Sequence, residues 1–318
     1  MPQKYAIHPD FANLPVLRVY FNRPFVGLAN AALTFLRRGV EKNIPAGLVE
    51  EKITVVGASG RSTPGLRMRP ENLSGRVPTL IYYHGGGFAL THGAHQLAMC
   101  RQFALEAGCQ VIFPDYRLLP KYPFPAGFDD CYDTLTWVLE QADDLGVDSD
   151  RVVVGGDSAG GALAAGVAQK AIDNDISLAA QLLIYPLTDS TGTTQSTREF
   201  LDTPVWNGRN TERMWRSLLP GHDRNSPPPY VAPGMRENLS NLPPAYLDTA
   251  EFDPLRDEGA RYAEDLKAAG VAVEYNATRG TVHGFELVPE SAITRQIIQQ
   301  RIHFLRGVFG TMNDYDQS

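Results

Sequence analysis

Cysteine is scarce in this chain: Cys100, Cys109 and Cys131 are the whole supply, an odd number with no metal-type spacing. A disulfide framework and a structural zinc site are therefore excluded as organising principles, and a reducing, cytoplasmic setting fits best. Long apolar runs are also missing. The most apolar early stretch, Pro24 to Leu36, is too short to cross a bilayer and is bracketed by Arg23 and Arg37. Met1 to Asp10 shows no basic region followed by an apolar core, so no secretory signal is expected. Basic excess is absent too: the formal net charge is −7. Nucleic acid and stable association with an anionic membrane are excluded as expected partners, because both call for a basic face. Finally, the glycine-rich turns lack G-x-G-x-x-G and Gly-Lys-Ser/Thr, which removes dinucleotide and P-loop readings.

What is present is an ordinary globular composition, 43% hydrophobic and 20% charged over 318 residues, enough for one large α/β domain with an insertion or for two small domains. Residues Phe11 to Arg38 read as helical, with a break at Pro24 and apolar positions that include Leu17, Tyr20, Val26, Leu28, Leu33 and Phe35. Such a segment, lying outside the first strand, either packs over the body or braces its edge. Strand patterns follow at Ile53–Val56, Leu66–Arg69 and Thr79–Tyr83, the first two alternating as antiparallel strands do and the third apolar throughout, as for a strand buried on both faces.

From His95 onward helix and strand alternate: helices over His95–Glu106, Phe128–Gln141 and Ala159–Ile172, strands over Gln110–Pro114, Arg151–Val154 and Gln181–Tyr185. That alternation predicts a parallel sheet with helices on both faces and a site at the carboxyl ends of its strands. Between Pro186 and Asn241 it stops. A polar stretch of this length is read as an insertion with its own helix near Thr211–Leu219, lying over the site. A strand at Ala245–Thr249, a helix at Arg256–Ala269, a last strand at Val271–Ala277 and a helix at Ser291–Phe309 complete the pattern, for eight strands in all.

The run Val152-Val153-Val154-Gly155-Gly156-Asp157-Ser158-Ala159-Gly160-Gly161 reads as strand, sharp turn and helix with Ser158 at the tip. A serine hydroxyl is a poor nucleophile unless it is exposed, rigidly held and supplied with a base. Gly156-x-Ser158-x-Gly160 answers the first two needs, since the turn is too tight for bulky flanking side chains. His283, after the last strand, is the candidate base, and Asp253, after the strand before it, the candidate acid. The chain order Ser158, Asp253, His283 is nucleophile, acid, base. His84 is the serious rival among the histidines, but its place beside Gly85-Gly86-Gly87 suits bracing that loop. Asp257 and Glu258 fall in a first helical turn, where acids favour the dipole; Glu251, nearer the strand, stays in contention, and Asp157 points away from the nucleophile. Consecutive glycines after a buried strand free backbone N–H groups to face an oxyanion, which makes Gly86, Gly87 and Ala159 the candidate donors. Phe88, Trp206, Leu255 and Phe285 are candidate pocket walls.

Together, His84-Gly85-Gly86-Gly87-Phe88, Asp115-Tyr116-Arg117-Leu118, Pro123-Phe124-Pro125, Gly156-Asp157-Ser158-Ala159-Gly160-Gly161, Asp253-Pro254-Leu255-Arg256-Asp257-Glu258-Gly259 and His283-Gly284-Phe285 resemble, in identity and order, the hormone-sensitive-lipase-like esterases of the α/β-hydrolase superfamily. Leu119-Pro120-Lys121 departs from the family's usual Ala-Pro-Glu, and the stretches that shape the pocket match weakly. The resemblance implies an α/β-hydrolase fold with a mostly parallel sheet, residues 49–187 and 241–318 forming the catalytic body and residues 1–48 and 188–240 a helical cap. It further implies hydrolysis of short-chain esters, acetyl to about hexanoyl, with Ser158, Asp253 and His283 as triad and no cofactor or metal. An amidase or N-deacetylase with the same triad, and a non-catalytic small-molecule receptor like the plant gibberellin receptor, are the alternatives. An exposed last strand could pair in a homodimer.

Overall fold

The computed structural model describes residues 4–311; residues 1–3 of the expected N-terminal cap segment and 312–318 of the expected body lie outside them. Eight strands form a single sheet: β1 (Leu48–Val56), β2 (Ser62–Pro70), β3 (Val77–Tyr83), β4 (Gln110–Pro114), β5 (Val147–Asp157), β6 (Ala180–Ile184), β7 (Ala245–Phe252) and β8 (Val273–Val282), in the order β1-β2-β4-β3-β5-β6-β7-β8. β2 pairs antiparallel with both β1 and β4, and every other pairing is parallel. β3 is buried at every residue, as its unbroken apolar run requires.

Alternation along the central strands feeds two separate cores. Ile81, Tyr83 and Val154 face one side, packed with α3 (Ala126–Glu140), the short α4 (Ala142–Leu145), α5 (Ala159–Ile172) and α8 (Arg256–Ala268). Leu80, Tyr82 and Val153 face the other, packed with α2 (Ala94–Ala107) and α9 (Ala292–Phe309). Both faces of the sheet are thus covered, which fits the hydrophobicity of parallel strands. The interior carries charge as well: Arg301, fully buried on α9, binds Asp248 of β7 at 2.7 Å and Glu286 at 2.6 Å.

The N-terminal segment departs from expectation. Residues 11–22 are not helical; the helix α1 runs Arg23–Lys42, with Pro24 in its first turn and the Asn22 side chain accepting from the Phe25 N–H at 3.0 Å. Proline is tolerated at a helix start because the N–H it lacks has no helical partner there, so the residue read as a break is a beginning. The chain before it is an extended strap sewn to residues 205–210. The Val205 N–H donates to Pro15 O, the Asn207 and Asn210 amides to Leu17 O, and the Val19 N–H to Asn210 Oδ1. The segment after β6 carries α6 (Gln195–Glu199), α7 (Gly208–Leu218) and a short 3₁₀ turn at Pro233–Met235. β8 also runs further than its apolar pattern suggested, so that His283 follows it directly. Among the described residues, no helix is long and apolar enough to cross a membrane.

Candidate active site

β5 delivers Ser158 into the turn before α5, with φ 57° and ψ −118°. A non-glycine residue in this region of backbone space costs on the order of 1–3 kcal/mol and persists only where its surroundings impose it. They do so here: the Ser158 N–H donates to Ile184 O at 2.8 Å, and its carbonyl accepts from the N–H groups of Ala162 and Leu187. Gly160 is required by proximity, since a Cβ there would collide with the Tyr83 and His84 carbonyls.

The Ser158 hydroxyl donates to His283 Nε2 at 2.8 Å, and His283 Nδ1–H donates to Asp253 Oδ2 at 2.6 Å. Asp253 is itself fixed, its Oδ1 accepting from the Leu255 N–H at 2.9 Å. All three residues are at most 6% exposed. They come from the ends of β5, β7 and β8, which lie in one parallel run of the sheet with β6 between β5 and β7, and 125 residues of sequence separate Ser158 from His283.

The competing residues are engaged elsewhere. Asp157 accepts from Tyr82 Oη, the Gly85 N–H and Gln96 Nε2, all within 2.9 Å, and burial raises its carboxyl. Glu251 accepts from the Gly280 N–H, Asp257 from the Ser196 N–H, and Glu258 from the Thr188 N–H. His84 is 1% exposed, stacks on Tyr116 at 4.5 Å and is bonded to Gly85 O at 2.7 Å. Burial, helped by the neighbouring His92, lowers its imidazole to about 4. Such a ring is neutral and braces the loop.

The glycine loop after β3 turns sharply. Gly86 and Gly87 both have positive φ, 115° and 60°, a conformation that side chains disfavour. Among the described residues, none accepts a hydrogen bond from the N–H groups of Gly86, Gly87 or Ala159. Gly86, Gly87 and Ser158 border one cavity of about 210 Å³, small beside typical ligand sites of roughly 300–1,000 Å³.

Of the four candidate walls, Trp206 borders this cavity and the other three do not. Phe88 points into the core on the far side of the loop, where it borders a separate cleft with Phe124 and Tyr230. Leu255, one residue beyond the Asp253-Pro254 turn, packs into the α3/α5/α8 core, and Phe285 packs in the opposite core against Phe11 and Tyr185. The walls that sequence reading did not assign include Leu17, Val19, Leu33, Tyr185, Val205 and Leu287. Leu17 and Leu33 were visible as apolar positions, but nothing in their spacing says that the strap and α1 fold back over the cavity.

The scaffold and the serine-histidine-aspartate chain define an α/β hydrolase. Residues 80–287 match the model of a family described as alpha/beta hydrolase fold. The chain belongs to that family, in its hormone-sensitive-lipase-like branch, as its relatives indicate. The carboxylesterase NlhH of Mycobacterium tuberculosis is 40% identical over 265 residues, 82% of each chain. Esterase LipI of the same organism is 41% identical over 210 residues, 66% of each chain. Among solved structures, a bacterial heroin esterase superposes with a TM-score of 0.88 at 33% identity, covering 96% of this chain and 98% of that one. Esterase LipW from Mycobacterium marinum gives 0.89 at 33% identity and 96% of each.

Proposed function

We propose that this protein is a serine carboxylesterase acting on short-chain acyl esters, acetyl to about hexanoyl. The observation that carries the reading is the continuous hydrogen-bonded chain from Ser158 Oγ through His283 to Asp253, at the wall of a small and mainly apolar cavity. The esterase names of relatives at about 40% identity support it.

In the proposed reaction His283 Nε2 takes the hydroxyl proton as Ser158 Oγ attacks the ester carbonyl carbon. Gly86, Gly87 and Ala159 offer their N–H groups to the oxyanion; one such donor is typically worth about 3 kcal/mol of transition-state stabilisation. The tetrahedral species collapses as the imidazolium returns the proton to the departing alkoxide, leaving Ser158 acylated. Water, deprotonated by the same nitrogen, then attacks the acyl carbon, and the acid leaves as Ser158 recovers its proton. Asp253 holds the imidazole in the tautomer that accepts at Nε2 and stabilises its charged form.

Residues 1–48 and 188–240 act as a cap over a body formed by 49–187 and 241–318; the reading is supported by Leu17, Leu33 and Trp206 bordering the cavity. β8 ends the sheet order, which supports pairing of this edge with a second copy; a monomeric mass by light scattering would remove that part. The buried, unpaired cysteines suit a cytoplasmic location.

The test is hydrolysis of p-nitrophenyl esters from acetate to palmitate beside Ser158→Ala. A peak at short chains that vanishes in the variant is expected. Undiminished turnover in a folded Ser158→Ala protein overturns the assignment.

A further inference from the structure

α1 carries apolar side chains on two faces: Phe25, Val26, Leu33 and Val40 turn to the body, and a second set turns to solvent. Toward the body it presents polar anchors: Asn30 donates to Ala89 O at 3.0 Å and accepts from the Thr91 N–H at 2.9 Å, while Arg37 donates to Thr91 Oγ1 at 2.9 Å and His92 O at 3.0 Å. Of its twenty residues Val26 alone is buried. The outward face is apolar as well. Leu28, Ala32, Phe35 and Leu36 recur at helical spacing, and the three large ones are 75%, 65% and 70% exposed. Val16 and Tyr20 of the preceding strap are also 51% and 45% exposed. A surface helix ordinarily turns its apolar stripe to the core. Here the body-facing apolar residues and the bonds of Asn30 and Arg37 hold the helix, and a second apolar stripe is left to solvent.

The charge around this face is reversed relative to the molecule. Residues 11–42 carry Arg18, Arg23, Arg37, Arg38 and Lys42 against Glu41 alone, a net of +4 in a chain whose total is −7. Arg37 pairs with Glu41 at 2.7 Å; Arg18, Arg23, Arg38 and Lys42 are exposed. The Arg38 guanidinium lies over the Phe35 ring at 5.4 Å, a cation–π contact that sets a positive charge on the apolar face. The same segment reaches the cavity through Leu17 and Leu33, so the apolar face and the Ser158 cavity share one wall.

We propose that the outward face of α1 and its strap docks on an anionic lipid bilayer. Apolar residues ringed by cations are what an interfacial helix presents to headgroups and acyl chains. Attraction to an anionic surface acts within a Debye length, about 8 Å at physiological salt, so the local +4 counts for more than the distant negative charge of the body. A second copy is the poorer occupant, since a two-fold contact would set one +4 patch against another. The whole-chain charge, which argued against membranes, averages this patch away.

The proposal stands apart from ester chemistry, because its readout is binding. The full chain is sedimented with vesicles of phosphatidylglycerol and phosphatidylcholine, and with vesicles of phosphatidylcholine alone. Co-sedimentation with the anionic vesicles, reversed by high salt and absent with neutral ones, is expected. Leu28→Asp with Phe35→Asp, and separately Arg18→Glu with Arg38→Glu, should each weaken it at least tenfold while p-nitrophenyl acetate hydrolysis in free solution is unchanged. A wild-type chain that stays in the supernatant, or variants that bind as it does, overturns the proposal. So does a wild-type dimer in light scattering that either variant splits, for the face would then be a contact between copies.

Discussion

The Tyr185 ring lies 4.7 Å from the His283 imidazole, centroid to centroid, and its hydroxyl donates to Glu286 at 2.6 Å. Glu286 is bound in turn by the buried Arg301, so a charged brace running back to α9 ends at a ring tilted 54° against the histidine. Asp253 fixes that ring in its plane and Tyr185 packs beside it. Tyr185 has φ 32°, a second strained residue one step beyond the β-strand that abuts Ser158.

Two substitutions at Tyr185 separate the ring contact from the hydroxyl. Tyr185→Phe keeps the wall against His283 but takes a charge-assisted bond from Glu286, so stability should fall by about 1.5–3 kcal/mol with kcat/KM near that of the wild type. Tyr185→Ala removes the wall and should cost at least tenfold in kcat/KM. Denaturant unfolding and ester kinetics on both variants check this; equal loss of activity in the two would remove the positioning role.

Asp253→Asn preserves shape while presenting the wrong group to His283 Nδ1. A decrease in kcat on the order of 10⁴-fold is expected, with circular dichroism unchanged. Near-normal turnover would transfer the acid role to another carboxylate, and Glu251 is the one to substitute next.

The sequence made the chemistry legible where a residue's role is set by its immediate neighbours. Ser158 sits in a turn whose glycines are demanded by local collisions, and Asp253 and His283 each stand just past a readable strand. What stayed hidden depends on contacts between distant segments. The strap at 15–21 is extended because Asn207 and Asn210, some 190 residues away, take its backbone bonds. Leu255 and Phe285 flank the triad in sequence, yet the turns that place Asp253 and His283 send them into opposite cores. The outward apolar stripe of α1 is spaced like any core-facing stripe, and the polar anchors of Asn30 and Arg37 reveal which way it points.

His84 gives the fold a pH dependence whose sign can be worked out. Its pKa is lowered by burial and by His92 from 6.5 to about 4, with Asp115 and Arg37 the other charged groups facing it. Above 6.5 the ring is neutral whether the chain is folded or not. Between 6.5 and about 4 the unfolded chain takes up a proton that the folded one refuses, so stability falls with falling pH in that window. The expected loss from about pH 7 to pH 5 is roughly 2 kcal/mol for this group. His84→Asn, which keeps a donor for Gly85 O, should flatten the urea-midpoint profile by that amount. A profile as steep as the wild type's would assign the acid sensitivity to other groups.

Trp206 borders the cavity beside Ser158. Its indole closes over Gly87, where any Cβ would strike the ring, stands 6.1 Å from His283, and is anchored by Nε1–H donating to Thr211 Oγ1 at 2.9 Å. That bond fixes the ring position without help from an acyl chain, so the wall is rigid before substrate arrives. Trp206→Phe trims the indole while keeping an aromatic face toward the histidine. Each methylene newly accommodated in apolar surroundings is worth about 0.8 kcal/mol, or roughly fourfold in kcat/KM. The p-nitrophenyl series should therefore shift its optimum to longer chains, with octanoate gaining relative to acetate. A profile that drops uniformly, with the optimum unmoved, would show that Trp206 supports the loop without measuring the chain, and Leu33 or Leu287 would be the next wall to trim.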